Sequence, residues 1–212
     1  MRCFKTLVLV VLSLLVMFPQ LAHTDTDAEF FNLGKTYHES GDYENAITEY
    51  TLALRFRPDF MEALYNRGLA HFHVGNFNRA IADYTAVLEL EPAFAEAFYN
   101  RGIAYRQISD YEKAIEDYSA ALELRSEYPT ALLNRGVAYR RLGDLEKAVT
   151  DYTAALALRP DYRNALYNRG AVFFTRGEFN SAIEDWEAIL AVYPNDSDTR
   201  QNIDAARQRI DR

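Results

Sequence analysis

Residues 65–68 read YNRG, the same letters return at 99–102 and 167–170, and residues 133–136 read LNRG. Asn66, Asn100, Asn134 and Asn168 therefore stand 34 residues apart, with no insertion or deletion between them. One step back along the same period lies Asn32 in NLGKTY, and one step forward lies Asn202 in QNIDAA. A fixed period of this size marks one structural unit stacked on copies of itself. No unit buries its apolar face alone; each completes the one before it.

The period within one unit gives its secondary structure. In residues 61–94, Leu64, Arg67, Gly68 and His71 fall at i, i+3, i+4 and i+7, one face of a helix. Tyr65, Leu69 and Phe72, with Asn66 and His73 beside them, cover the other side. VGNF at 74–77 then offers Gly75 as a C-cap and Asn76 as the N-cap of a second helix. That helix buries Phe77, Ala80, Ile81, Tyr84, Val87 and Leu88, and Pro92 stops it. Each unit is predicted to be an antiparallel helix pair.

Gly68, Gly102, Gly136 and Gly170 lie inside the first helix, where glycine costs roughly 1 kcal/mol relative to alanine. Their recurrence predicts a close crossing. The expected partners are the small residues Ala46, Ala80, Ala114, Ala148 and Ala182 of the second helix, with Tyr50, Tyr84, Tyr118, Tyr152 and Trp186 filling the space alongside.

These columns resemble the tetratricopeptide repeat (TPR) family. The large residue is Phe30, Leu64, Phe98, Leu132 and Leu166, the glycine runs from Gly34 to Gly170, and the ring after it is Tyr37, His71, Tyr105, Tyr139 and Phe173. The closing proline is Pro58, Pro92, Pro160 and Pro194. Ser109 replaces the turn glycine and Ser126 the proline in the third unit, which predicts a looser turn there. Arg67, Arg101, Arg135 and Arg169 fill a column that the family usually gives to leucine. The resemblance implies an all-α, right-handed solenoid of five repeats within residues 25–196, at about 27–60, 61–94, 95–128, 129–162 and 163–196, with residues 197–212 as a capping helix.

Residues 1–24 stand outside the repeat. Arg2 and Lys5 precede an apolar run from 6 to 18 broken only by Ser13, and Pro19 and a polar exit follow, a layout that resembles a secretory signal peptide. The run falls short of the roughly 20 residues a membrane-spanning helix needs. LAHT is a poor cleavage site, so an uncleaved N-terminal anchor, and with it membrane association, is the alternative. The chain's single cysteine, Cys3, lies in this segment, and removal of the segment leaves no thiol for a disulfide. An exported product, in the periplasm or secreted, follows from the leader.

Composition excludes some functions. A hydrophobic content of 49% supports a packed core, and a net charge of −8 argues against a nucleic-acid partner, which requires a basic face. There is no phosphate-binding glycine loop and no GxSxG, and a chain without Cys3 has no thiol nucleophile. His71 and His73 diverge on a helix and cannot share a metal as an i, i+4 pair does. No catalytic residue, metal site, cofactor or small-molecule substrate is assigned.

Two arginine sets are separated by their neighbours. Asp83, Asp117, Asp151 and Asp185 recur in step with Arg67, Arg101, Arg135 and Arg169, which predicts an internal ion-pair ladder. The resemblance implies that the first helices line a concave groove, with Asn32, Asn66, Asn100, Asn134 and Asn168 facing it. An amide donates and accepts at once, which suits a peptide backbone, although the same amides also suit local backbone groups between repeats. Tyr65, Tyr99 and Tyr167 offer amphipathic contact area, and the next column reads His38, Phe72, Arg106, Arg140 and Phe174, with Arg141 beside Arg140. These three arginines predict a local site for a carboxylate or phosphate. Co-chaperone members of the family grip an acidic C-terminus with lysine in the column that here reads Phe31, Tyr65, Tyr99, Leu133 and Tyr167, so that role does not carry over.

The functional reading is an exported adaptor that binds a protein or peptide segment in its groove. The alternative is a structural or self-associating subunit of a cell-envelope complex that works through its convex face or its ends.

Overall fold

The computed structural model describes residues 26–211; the leader reading of residues 1–24 lies outside them. The helices in chain order are α1 (Thr26–Glu39), α2 (Tyr43–Phe56), α3 (Met61–His73), α4 (Phe77–Leu90), α5 (Ala95–Gln107), α6 (Tyr111–Leu124), α7 (Pro129–Arg141), α8 (Leu145–Leu158), α9 (Arg163–Thr175), α10 (Phe179–Val192) and α11 (Ser197–Ile210). Each odd-numbered helix from α1 to α9 packs on the even-numbered one after it, and each even-numbered helix also packs on its successor. This is an α-solenoid.

Local chemistry sets the boundaries. Asp42, Asp110 and Asp144 cap α2, α6 and α8 by accepting from the backbone N–H of Asn45, Lys113 and Lys147 at 3.3, 3.3 and 3.1 Å. Asn76 was expected to cap α4 in the same way, yet its side chain makes no cap bond. Gly41, Gly75, Gly143 and Gly177 turn between the paired helices with φ between +78° and +83°, the left-handed region that glycine enters without strain. Ser109 takes the same place at φ +63°. The third turn is therefore held in the common geometry rather than loosened, because Ser109 N–H to Arg106 O and Asp110 N–H to Tyr105 O reproduce the bonds of Gly143 and Asp144.

The core runs the length of the stack. Ala46, Ala80, Ala114, Ala148 and Ala182 are fully buried, as are Tyr50, Tyr84, Tyr118 and Tyr152, with Trp186 close behind. The helix crossing differs from the expected contact of small residue on small residue. A Cβ on Gly68 would lie 2.8 Å from the Tyr84 ring, one on Gly136 2.7 Å from Tyr152 and one on Gly170 2.7 Å from the Trp186 indole nitrogen. Each glycine is the seat for an aromatic ring. Burying such a ring is worth about 2–3 kcal/mol, which offsets the glycine's intrinsic cost.

The two layers are not equivalent. Every consecutive pair of first helices, α1 with α3 through α7 with α9, comes into contact, and no comparable approach joins consecutive second helices. The first helices therefore form the tighter, inner layer and the stack curves around them. At the end of the stack α11 buries Thr199, Ile203 and Ala206 against α10 and turns Arg200, Asp204, Arg207 and Arg209 outward. Among the described residues, no helix is long and apolar enough to cross a membrane.

Candidate functional site

The arginine ladder is present. Arg67 grips Asp83 with Nε to Oδ2 at 2.9 Å and Nη2 to Oδ1 at 2.6 Å, and Arg101–Asp117, Arg135–Asp151 and Arg169–Asp185 repeat both bonds within 2.7–2.9 Å. The remaining nitrogen, Nη1, reaches back to a hydroxyl of the preceding repeat: Thr51 at 3.2 Å, then Thr85, Ser119 and Thr153 at 3.0 Å. Each guanidinium thus joins three helices. These hydroxyls recur at the same 34-residue spacing in the sequence, sixteen residues before each arginine. The aspartate side chains are only 5–6% exposed, so each charge depends on its partner. In the first repeat, Leu33 and Glu49 occupy these columns, and in α11 the arginine column is filled by buried Ile203.

The asparagines divide by what precedes them. Asn100 donates to the Tyr65 hydroxyl at 2.7 Å, Asn134 to Tyr99 at 3.0 Å and Asn202 to Tyr167 at 3.3 Å, each across one repeat junction. Asn66 and Asn168 follow Phe31 and Leu133, which have no hydroxyl. Their amides turn back to their own helix instead, onto the carbonyls of Glu62 and Asn164 at 2.7 Å. Asn32 is exposed and accepts through its backbone carbonyl from Thr36. Of the residues assigned to the groove, Tyr65, Tyr99, Tyr167, Asn100 and Asn134 thus serve as rungs between repeats, whereas Asn32, Asn66 and Asn168 do not.

Another pair of columns faces the inner side without such ties. His38, Phe72, Arg106, Arg140 and Phe174 are half-exposed in all five repeats. One helical turn before them, Leu69, Ile103, Val137 and Ala171 are also half-exposed, an apolar strip that belongs to the same face. Among the described residues neither Arg106 nor Arg140 makes an ion pair, and the Nε atoms of both are buried without a hydrogen-bond partner, as are the hydroxyls of Tyr118 and Tyr152. Burial pushes the Tyr152 hydroxyl up to about 12, against the pull of the adjacent Arg140 charge, and burial raises Tyr118 against Arg106 in the same way. Arg141 stands apart from this pair. It is exposed and about 100° further round α7.

Charge separates the layers as well. α7 carries Arg135, Arg140 and Arg141 and no acid, and α9 carries Arg163 and Arg169 and no acid. In the outer layer, α6 exposes Glu112, Glu116 and Glu123 beside Lys113, and α10 exposes Glu184 and Glu187 without a base, while Asp117 and Asp185 are the buried ladder partners. The negative charge of the chain is concentrated on the outer layer, away from the inner face of repeats three to five.

At the other end of the inner face two histidines pack with Tyr43. The His73 ring stacks on Tyr43 with centroids 4.3 Å apart, and His38 meets His73 edge-on at 5.9 Å. His71 is buried beneath, its Nδ1 without a partner. Burial lowers the pKa of both His38 and His71 below the ordinary 6.5. No group of three or more metal-ligating side chains occurs among the described residues.

Sequence profiles of the TPR repeat match residues 34–75, 102–143 and 136–177, and tetratricopeptide repeat profiles match 62–94, 84–116 and 164–196. Among solved structures, MamA protein is 25% identical with a TM-score of 0.76 over 80% of this chain and 92% of that one. MamA from Desulfovibrio magneticus RS-1 is 22% identical with a TM-score of 0.78 over 82% and 99%. YrrB, described as a TPR protein with an unusual peptide-binding site, is 19% identical with a TM-score of 0.71 over 81% and 89%. The last two likenesses concern the fold alone. No curated protein gives a significant match.

Proposed function

The chain belongs to the tetratricopeptide repeat family, and from that premise we propose an exported adaptor that holds a protein or peptide segment against the inner face of its first helices. Membership makes it a protein-interaction scaffold, a role that is typically without catalysis. The finer reading rests on one observation: half-exposed residues at 38, 72, 106, 140 and 174 run through every repeat, with an apolar strip one turn away in repeats two to five. A segment laid along the stack meets an apolar contact in each of repeats two to five, with an arginine beside it in repeats three and four. YrrB shares the fold, but at this identity the peptide site here rests on this chain's own residues.

Export and the periplasm enter through the leader at residues 1–24, whose alternative as an anchor would tie the same adaptor to a membrane. Fractionation of the host cells tests this: recovery in the cytoplasm would remove it.

The groove is tested by pull-down from host-cell extract with the full-length protein, a Phe72→Ala/Val137→Ala variant of the inner face and a Glu89→Lys/Glu116→Lys variant of the exposed outer face. A partner kept by the native and outer-face proteins and lost from the folded inner-face variant is the expected result. A partner lost only from the outer-face variant would move the function to the second helices.

A further inference from the structure

We propose that the segment held in the groove is acidic, and that Arg106 and Arg140 each receive one of its carboxylates in neighbouring repeats. This rests on the groove reading above and gives it a ligand chemistry.

The first support is that these cations have no counter-ion in the chain. On the same two helices Arg101 and Arg135 each hold an aspartate through two bonds, whereas Arg106 and Arg140 hold none among the described residues. The one acid of α5, Glu96, is taken by Arg125 at 2.7 Å, and α7 has no acid. A protein with net charge −8 has left two half-exposed guanidiniums without an ion-pair partner, among the described residues, in adjacent repeats of its inner layer.

The second support is positioning. Each Nε is buried close to a buried tyrosine, Tyr118 or Tyr152, so the inner edge of the guanidinium is packed while the side chain as a whole stays half-exposed. A guanidinium fixed in this way loses little rotamer freedom when it takes a carboxylate, and its planar fork suits two oxygens at once.

The third support is spacing. Packed helices stand roughly 8–10 Å apart, and three residues of extended chain span roughly 10 Å. Acids three residues apart therefore reach successive arginines. Ile103 and Val137, one turn before each arginine, supply apolar contact for the residues between them. The ligand is an extended segment of acidic and apolar residues, with Asp or Glu at every third position in this part of the groove.

The test is selection of peptides from a random display library on the full-length protein, followed by titration of the recovered peptides against the native chain, Arg106→Gln/Arg140→Gln and Arg106→Lys/Arg140→Lys. Recovered peptides should carry two acids about three residues apart, lose about tenfold or more in affinity to the glutamine variant, and recover part of it with lysine, which keeps the charge without the fork. Peptides without acids that still cross-link to the first helices would overturn the carboxylate assignment and leave the groove standing. Peptides that cross-link to the second helices, or recovery of none, would overturn both. Tighter binding of counterparts with phosphoserine at the acidic positions would replace carboxylate by phosphate and overturn the assignment as stated.

Discussion

Arg101 and Arg106 lie on one helix, five residues apart, as do Arg135 and Arg140 on the next first helix. The first member of each pair joins three helices through an aspartate and a hydroxyl, whereas the second makes no ion pair among the described residues. Residue type alone assigns neither role. The partner column does: an aspartate sixteen residues on turns an arginine into architecture, and its lack leaves a charge available to a ligand. The repeat makes this a controlled comparison, because the backbone around both columns is nearly the same in each unit.

The largest test of the contrast is to remove the architectural partner. Asp117→Ala strands the Arg101 charge between α5, α6 and α4, and should lower stability by about 3 kcal/mol in denaturant unfolding. Replacing both partners with apolar residues, as in Arg101→Met/Asp117→Leu, should return most of that loss, since the desolvation cost goes with the pair. A smaller effect is expected at the rungs. Tyr99→Phe removes the hydroxyl that Asn134 uses and should cost about 1 kcal/mol, with the Asn134 amide swinging to the Thr130 carbonyl as Asn168 does after Leu133. The smallest is at the groove. Arg106→Gln/Arg140→Gln should leave the unfolding midpoint nearly unchanged, within about 0.5 kcal/mol, and an equal loss at both arginine columns would erase the distinction.

The same inner column extends the comparison to pH. Where repeats three and four place Arg106 and Arg140, repeat one places His38, and His71 replaces the tyrosine of its own column. Glu39 and His73 face His38, and Asp83, Arg67 and Arg79 surround His71. Burial is the leading influence on both and lowers their folded pKa, so the unfolded chain binds more protons in acid. Their contribution is present above about pH 6.5 and is lost as pH falls below it. Urea midpoints should drop between about pH 7 and about pH 5, and His71→Tyr, which restores the ring found in repeats one, three and four, should flatten that dependence.

The stacked helix pairs were legible because one interval decides them. Tyr, Gly, Ala and Pro recur in fixed columns, and the Arg–Asp ladder follows from two columns in step. What escaped the sequence concerns which repeat a side chain reaches. The back-bond from Arg101 to Thr85 and the bond from Asn100 to Tyr65 both cross a junction, so their partners lie in the preceding unit and not beside them in the chain. The asparagine column left peptide contact and local satisfaction both open. The rungs form where the preceding unit supplies tyrosine and fail where it supplies Phe31 or Leu133. Ser109, which in place of the turn glycine predicts a looser turn, is held at positive φ by the flanking hydrogen bonds. Of the three groove arginines, the helical period itself separates Arg141 from the other two.

The central claim is that the first-helix layer is the working surface. Its most direct test is a photo-reactive phenylalanine analogue placed at Phe72 on the inner face, or at Glu116 on the exposed outer face, and irradiated in the native host. The account predicts a defined cross-linked partner from position 72 and none from position 116. The same partner captured from 116 and not from 72 would place recognition on the second helices and contradict it.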